Sequence, residues 1–177
     1  SDTDRENRYT RAASDFQKWL NEGILIRDPN PSLYLYEQRF ADKTRRGFLA
    51  LRRLEEFGSK IHPHEKTLSG PKADRLLLMK ACGANLSPIF SLYSDPQKRI
   101  SSRLIPHFEQ EPLLDFLDEE GVHHRFWRVI DPDLFQEIDR VLEAKNLFIA
   151  DGHHRYAPAL AYRDEMKAQH SKADPEA

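Results

Sequence analysis

The sequence predicts an α+β fold with a mixed or antiparallel sheet and flanking helices. Three observations support this prediction: an apolar stripe at helical spacing near the start, two pairs of short strands joined by polar turns, and a buried strand that leads into a last helix. The 177 residues are enough for one core, since 39% of them are hydrophobic. Because the sequence contains no internal repeat and no linker, we expect a single α+β domain over residues 1–177. The chain opens without Met and ends in a polar run, so we expect this domain to form part of a longer protein.

The composition excludes several classes of partner. With 27 Lys and Arg against 29 Asp and Glu, the net charge of -2 provides no overall attraction to nucleic acid or to an anionic membrane. No apolar stretch approaches the roughly 18 residues that a membrane helix needs. The single cysteine, Cys82, cannot form an intrachain disulfide, which favours a reducing compartment. We therefore expect a cytoplasmic protein with no membrane partner, and its charge disfavours a nucleic-acid partner. Its oligomeric state stays open.

The first third of the chain predicts a helix and a hairpin. Apolar residues at helical spacing place a helix from about residue 4 to residue 22, with Gly23 as its carboxyl-terminal cap. Two segments rich in Tyr, Leu and Phe, residues 32–40 and 46–57, flank the polar turn 41–44. These two segments should form antiparallel strands.

The middle of the chain is less regular. After an irregular stretch over residues 59–70, Pro71 suits the first position of a second helix that runs to about residue 84. A short apolar strand is expected over residues 88–93, and the polar stretch that follows it is left open.

The remaining part of the chain predicts another hairpin, a helix capped by Asp131, a short buried strand and a last helix. The hairpin strands are expected over residues 113–117 and 122–130, the short strand over residues 147–150, and the last helix as far as about residue 170.

The short strand runs directly into Asp-Gly-His-His-Arg at residues 151–155. Gly152 allows a sharp turn and a close backbone approach, while the N–H groups of a helix start and the Arg155 guanidinium offer donors to phosphate oxygens. The pattern indicates an anion-binding turn. The alternative is a tight strand–helix turn in which the His and Arg side chains only bind nearby carbonyl groups.

A second segment with chemical potential is His-Glu-Lys-Thr at residues 64–67, with Lys72 and Arg75 downstream. A carboxylate beside a lysine, a hydroxyl and imidazoles can accept a proton, hold a divalent ion or bind phosphate. The alternative is a solvated, charge-rich loop. The segment lacks the two histidines four residues apart that a zinc protease helix requires.

Other features have structural interpretations. His123 and His124 are adjacent in a predicted strand, so their side chains point to opposite faces and cannot serve one site. Phe126 and Trp127 are expected in the core or in cross-strand pairs. The chain contains neither a G-x-x-x-x-G-K-[ST] loop nor a G-x-G-x-x-G motif, which excludes P-loop and Rossmann enzymes.

Several segments resemble a microbial family catalogued as a domain of unknown function, number one thousand and fifteen. The matching segments are residues 31–38, 46–50, 64–67, 71–75, 85–90 and 149–156. Full members of the family look longer at both ends, which agrees with the expectation that this chain is part of a longer protein.

The turn at residues 151–155 is also similar to the phosphate-contacting turn of the ParB, sulfiredoxin and free-serine-kinase superfamily. This resemblance implies a ParB/sulfiredoxin-like fold in which the turn binds nucleotide phosphates. The kinase branch of that superfamily uses a glutamate as base, which makes Glu65 the candidate base here.

The leading hypothesis is a nucleotide-dependent phosphotransferase or nucleotide hydrolase that acts on a small hydroxyl-bearing metabolite. It uses ATP or ADP with Mg²⁺, with Glu65, His64 and Asp151 as catalytic residues, and Glu65 and Asp151 as metal ligands. Phosphate is expected to bind to Gly152, His153, His154, Arg155, Lys66, Thr67, Lys72 and Arg75. The hypothesis requires residues 64–67 and 151–155 to line one cleft.

Two alternatives remain open. One is a metal-dependent hydrolase in which His64, Glu65, His153 and His154 bind a transition ion. The other is a ParB-like regulatory module that binds nucleotide without turnover.

Overall fold

The computed structural model describes residue 3, residues 5–64 and residues 69–173. Within this part the chain forms an α+β fold of five helices and seven strands, which confirms the predicted fold class. In chain order the elements are α1 (Arg8–Asn21), β1 (Leu33–Phe40), β2 (Lys43–Leu49), β3 (Ile61–Pro63), α2 (Ser69–Cys82), β4 (Phe90–Leu92), α3 (Ser101–Phe108), β5 (Leu114–Leu117), β6 (His123–Val129), α4 (Pro132–Glu143), β7 (Leu147–Asp151) and α5 (His153–Ala173).

The chain divides into two compact units that are interleaved in sequence. The first comprises Ser1–Arg27, Leu54–Leu92 and Leu147–Ala177, and the second comprises Asp28–Arg53 and Tyr93–Asn146. The sequence predicts one domain over residues 1–177, and that stays a prediction. Among the described residues, no helix combines the length and apolar character that crossing a membrane requires.

The first unit has a mixed three-stranded sheet in the order β3-β7-β4. Strand β3 runs parallel to β7, and β4 runs antiparallel to it. Ile149 of the central strand packs with Ile61 of β3 and with Tyr156 and Leu160 of α5 in one apolar cluster. The sequence prediction of an irregular stretch over residues 59–70 is wrong for β3, because a strand of only three residues is too short to show an alternating pattern.

The first helix begins later than predicted. The Asn7 side chain accepts hydrogen bonds from the Tyr9 and Thr10 N–H groups, and the Thr10 hydroxyl accepts one from the Asn7 N–H. This reciprocal capping box starts α1 at Arg8 rather than near residue 4. Gly23, with a φ of +71°, follows the end of the helix as predicted.

The second unit has an antiparallel sheet in the order β2-β1-β6-β5. Residues of α3 and α4 pack on Leu35 of β1 and on Trp127 of β6 to form its core. Both predicted hairpins are present. Strand β2 lies earlier than predicted, because Phe40 pairs with Lys43 and leaves a turn of only two residues.

The two helices of this unit differ in how well the sequence predicts them. Helix α4 begins as predicted, since the Asp131 side chain accepts a hydrogen bond from the Leu134 N–H at 3.0 Å. Helix α3 forms in the stretch that the sequence left open and contains Pro106. The Asp95 side chain accepts hydrogen bonds from three backbone N–H groups at the start of this helix. Burial alone would raise the pKa of Asp95, but these bonds lower it on balance.

Candidate functional site

The predicted anion-binding turn joins β7 to α5. Gly152 has a φ of +97°, a backbone conformation that side chains with a Cβ rarely adopt. The Arg155 side chain folds back over this glycine, and a Cβ there would lie 2.8 Å from Nη2 and 2.9 Å from Nε of Arg155. Glycine is therefore required both for the turn and for the position of the arginine.

Arg155 has an acidic partner in the turn itself. Its Nη2 lies 2.8 Å from Oδ2 of Asp151, a side chain that is 74% exposed. The hydrogen bond from Arg155 lowers the pKa of Asp151, so the carboxylate is ionised at neutral pH. The Nε atom of Arg155 is buried without a hydrogen-bond partner among the described residues. A ligand anion would therefore share this guanidinium with Asp151 or replace Asp151 on it.

Part of the backbone at the start of α5 is already engaged. The N–H groups of Arg155 and Tyr156 both donate to the Gly152 carbonyl, at 2.8 and 3.1 Å. The Arg155 amide is therefore not available to a phosphate, although the turn prediction counted it among the donors. The Arg155 guanidinium is the donor group that remains for the predicted anion.

His64 lies beside this turn. Its Nδ1 is 2.7 Å from the Ile149 carbonyl oxygen, and because a carbonyl only accepts, Nδ1 carries the proton. This arrangement leaves the lone pair of a neutral His64 on Nε2, where it can accept a proton. The structure thus brings His64 to the end of β7, 85 positions away in sequence.

His153 contacts His64 and is 3% exposed. The His64 N–H points to Nε2 of His153 at 3.4 Å, and the two rings are edge to face with centroids 4.4 Å apart. A backbone N–H can only donate, so Nε2 of His153 acts as the acceptor. His153 therefore helps to position His64, and the phosphate contact expected of His153 stays a prediction.

The other predicted site residues are only partly described. Glu65, Lys66 and Thr67 lie outside the described residues, and their roles stay predictions. His154 is half-buried, and its Nδ1 has no hydrogen-bond partner in the described part of the chain. Among the described residues there is no group of three His, Cys, Asp or Glu side chains that could hold a metal ion. The predicted ligand set His64, Glu65, His153 and His154 includes a residue outside this part, so the metal-hydrolase alternative stays a prediction.

Arg75 and Arg155 line the same pocket of the first unit. Both were predicted to bind phosphate, and the pocket brings them together from α2 and α5. Asn85 and Ser87 also line it, and sequence reasoning assigned them no role although they belong to a segment that carries the family resemblance. Lys72, which is half-buried, is not among the lining residues.

Together these features define an α+β protein with a candidate site at a strand–turn–helix junction. The chain belongs to the family described as protein of unknown function DUF1015, whose model matches residues 1–177. This match confirms the family resemblance, whereas the likeness to the ParB and sulfiredoxin superfamily stays a prediction. No curated protein and no solved structure matches the chain.

The turn geometry predicts the effect of Gly152→Ala. We expect a loss of about 1–3 kcal/mol from backbone strain, together with displacement of Arg155 from Asp151. Because Arg155 lowers the pKa of Asp151, this pKa should rise toward its ordinary value. Urea unfolding measures the first effect, and an NMR titration of the Asp151 carboxyl carbon measures the second.

Gly58→Ala is the matched control for this substitution. Gly58 has a φ of +86°, but a Cβ there would have no neighbour within 4 Å. Gly58→Ala should lose stability from backbone strain as Gly152→Ala does, but it should leave the pKa of Asp151 unchanged. An unchanged Asp151 pKa in Gly152→Ala would show that the arginine does not depend on the glycine.

Proposed function

We propose that the protein is a nucleotide-dependent phosphotransferase or nucleotide hydrolase that acts on a small hydroxyl-bearing metabolite. The observation that carries the proposal is the position of Arg155, which lies between the ionised Asp151 carboxylate and a pocket that Arg75 also lines. Guanidinium groups offer paired donors in the planar geometry that phosphate oxygens accept. Two of them at one pocket therefore suit the phosphate groups of ATP or ADP.

The Asp151–Arg155 ion pair is suited to exchange. Pairs with an exposed partner contribute only about 0–1 kcal/mol, and Asp151 is largely exposed. A phosphate group with more negative charge can therefore replace this carboxylate on Arg155. Asp151 then becomes available to Mg²⁺, which accepts one or two carboxylates together with water and phosphate oxygens. When bound, the ion would neutralise part of the phosphate charge.

The proton of the acceptor hydroxyl needs a base near the phosphate. In the proposed reaction the hydroxyl oxygen forms a bond to the terminal phosphorus, the bond to the bridging oxygen breaks, and the shortened nucleotide leaves. Glu65 takes the hydroxyl proton, and water replaces the hydroxyl compound in the hydrolase form of the reaction. His64 is a second candidate acceptor for this proton, because its Nδ1–H bond to Ile149 leaves the Nε2 lone pair beside the turn.

Arg155→Ala provides the direct test of nucleotide binding. We expect the affinity for ATP or ADP with Mg²⁺, measured by isothermal titration calorimetry, to fall by roughly 10- to 100-fold, because one charged hydrogen-bond donor group is lost. Unchanged affinity for both nucleotides would contradict the proposed site. Binding without any turnover in the parent protein would instead favour the regulatory-module alternative.

Arg163→Ala is the matched control, because Arg163 lies on the same helix and also forms ion pairs, with Glu56 and Asp164. It does not line the pocket. Nucleotide affinity should therefore stay unchanged in this variant. An equal loss in both variants would mean that the effect reflects helix stability and not phosphate binding.

A further inference from the structure

The second unit contains a buried carboxylate surrounded by arginines. Glu37 of β1 is 0% exposed, and its two carboxylate oxygens contact three guanidinium groups. The Nε atoms of Arg39 and Arg46 lie 2.8 and 2.6 Å from it, and the Nε of Arg125 lies 3.0 Å from it. Nη2 of Arg125 contacts the same carboxylate oxygen. We call these four residues the Glu37 cluster.

The sheet register explains how residues far apart in sequence meet here. Glu37 is paired with Arg46 on β2 and with Arg125 on β6. Residues two apart on a strand share a face, so Arg39 lies on the same side. The three arginines therefore flank Glu37 across both neighbouring strands and along its own strand. Leu35, two residues in the other direction, belongs to the core of this unit.

Aromatic rings fix two of the guanidinium groups. The Cζ of Arg46 is 5.0 Å from the ring centroid of Phe108, and the Cζ of Arg125 is 5.0 Å from that of Trp127. Such cation–π contacts, added to the bonds to Glu37, restrict the side chains before any ligand arrives. Restricted donors lose less conformational entropy on binding than mobile surface arginines do.

The cluster has more positive charge and more donors than Glu37 satisfies. Three guanidinium groups face one carboxylate, and the next acidic residue on this face, Asp115, is directed to His123 at 2.5 Å. Arg39 and Arg46 approach Glu37 through Nε, and their side chains are 47% and 46% exposed. Within the described part of the chain, neither arginine forms a hydrogen bond or an ion pair with a residue other than Glu37. Their Nη groups are therefore available to an anion from solvent.

We propose that the Glu37 cluster is a second anion-binding site, in which the Nη groups of Arg39 and Arg46 bind a dianionic phosphoryl group. A dianion matches the excess of two positive charges over Glu37, and its three oxygens can accept bonds from two guanidinium edges. Glu37 is the positioning residue, because its carboxylate contacts the Nε atoms of both arginines. This site uses none of the residues assigned to nucleotide binding.

Inorganic phosphate is the probe for this site. The protein is titrated with phosphate at constant ionic strength, and the arginine Nε–H signals are followed by NMR. The titration uses the Arg155→Ala variant, so that phosphate binding at residues 151–155 contributes as little as possible to the signal changes. We expect saturable shifts of the Arg39 and Arg46 signals. The double variant R39Q/R46Q should weaken phosphate binding at least tenfold, and the single variant R39Q gives the same test if the double variant unfolds.

Arg45→Gln is the control, because Arg45 pairs with Gln38 on the opposite face of the sheet. Phosphate affinity should be unchanged in this variant. Sulfate should compete with phosphate, whereas acetate should bind more weakly because it carries a single charge. The proposal would be overturned if the NMR shifts do not saturate, or if acetate binds as tightly as phosphate. It would also be overturned if R45Q loses as much phosphate affinity as R39Q or R39Q/R46Q.

Discussion

Glu65→Gln is expected to lower turnover by roughly 10²- to 10⁴-fold, the range that a general base contributes. The substitution retains the shape and hydrogen-bonding capacity of the side chain and removes its ability to accept a proton. Nucleotide affinity should change little, because Glu65 acts on the acceptor hydroxyl in the proposed reaction. The measurement compares steady-state turnover with nucleotide dissociation constants for the same variant.

His64→Gln separates the two candidate proton acceptors. The variant keeps the backbone N–H that points to His153 and removes the imidazole Nε2. If Glu65 is the base, the loss of turnover in His64→Gln should be smaller than in Glu65→Gln. Unchanged turnover in Glu65→Gln together with a large loss in His64→Gln would transfer the role of base to His64.

Glu37→Gln is expected to cost about 3 kcal/mol of unfolding free energy. This is at the low end of the cost of breaking a buried ion pair, because Arg39 and Arg46 can turn to water after the charge is lost. Glu137→Gln is the matched control, since Glu137 forms an exposed ion pair with Arg103 in the same unit. That pair should contribute no more than about 1 kcal/mol. Equal losses in urea unfolding would contradict the structural role of Glu37.

The pH dependence of stability should change in the same variant. Burial alone would raise the pKa of Glu37, but hydrogen bonds from Arg125 and Arg46 and the charge of Arg39 lower it on balance. A lowered folded-state pKa adds stability above the unfolded value of about 4.3, and this stability is lost as pH falls through the folded value. In Glu37→Gln the free energy of unfolding should therefore fall less steeply as the pH is lowered than it does in the parent protein. Equal slopes at acid pH in the two proteins would contradict the lowered pKa of Glu37.

Several elements could be predicted because their signals are local. Asp131 and the proline that follows it begin α4 in the structure as they do in the sequence analysis. Capping and periodicity involve residues within one or two helical turns of each other, so residues that are close in sequence are enough to predict these elements. Strand β3 and helix α3 could not be predicted in this way, because three residues and a polar stretch with an internal proline show no clear period.

The candidate site also has features that the sequence predicts and features that it does not. Sequence reasoning selected His64, Asp151 and Arg155 from residue types and turn chemistry, and the structure places them around the end of β7. It did not anticipate that the Arg155 amide is bonded inside the helix or that His153 is buried against His64. The amide bond is local to the start of α5, whereas the His153 contact depends on how β3 pairs with β7 and joins residues more than 80 positions apart.

By itself, the sequence determined the fold class, most helices and strands, the family, and the residue types at the β7–α5 turn. Only the tertiary structure decided which groups meet: Arg75 with Arg155 at one pocket, and Arg39, Arg46 and Arg125 around Glu37. The physical reason is that caps and apolar periods depend on neighbours along the chain, whereas a cross-strand cluster depends on register. A shift of one residue in register would move a strand's side chains to the other face and disperse the arginines.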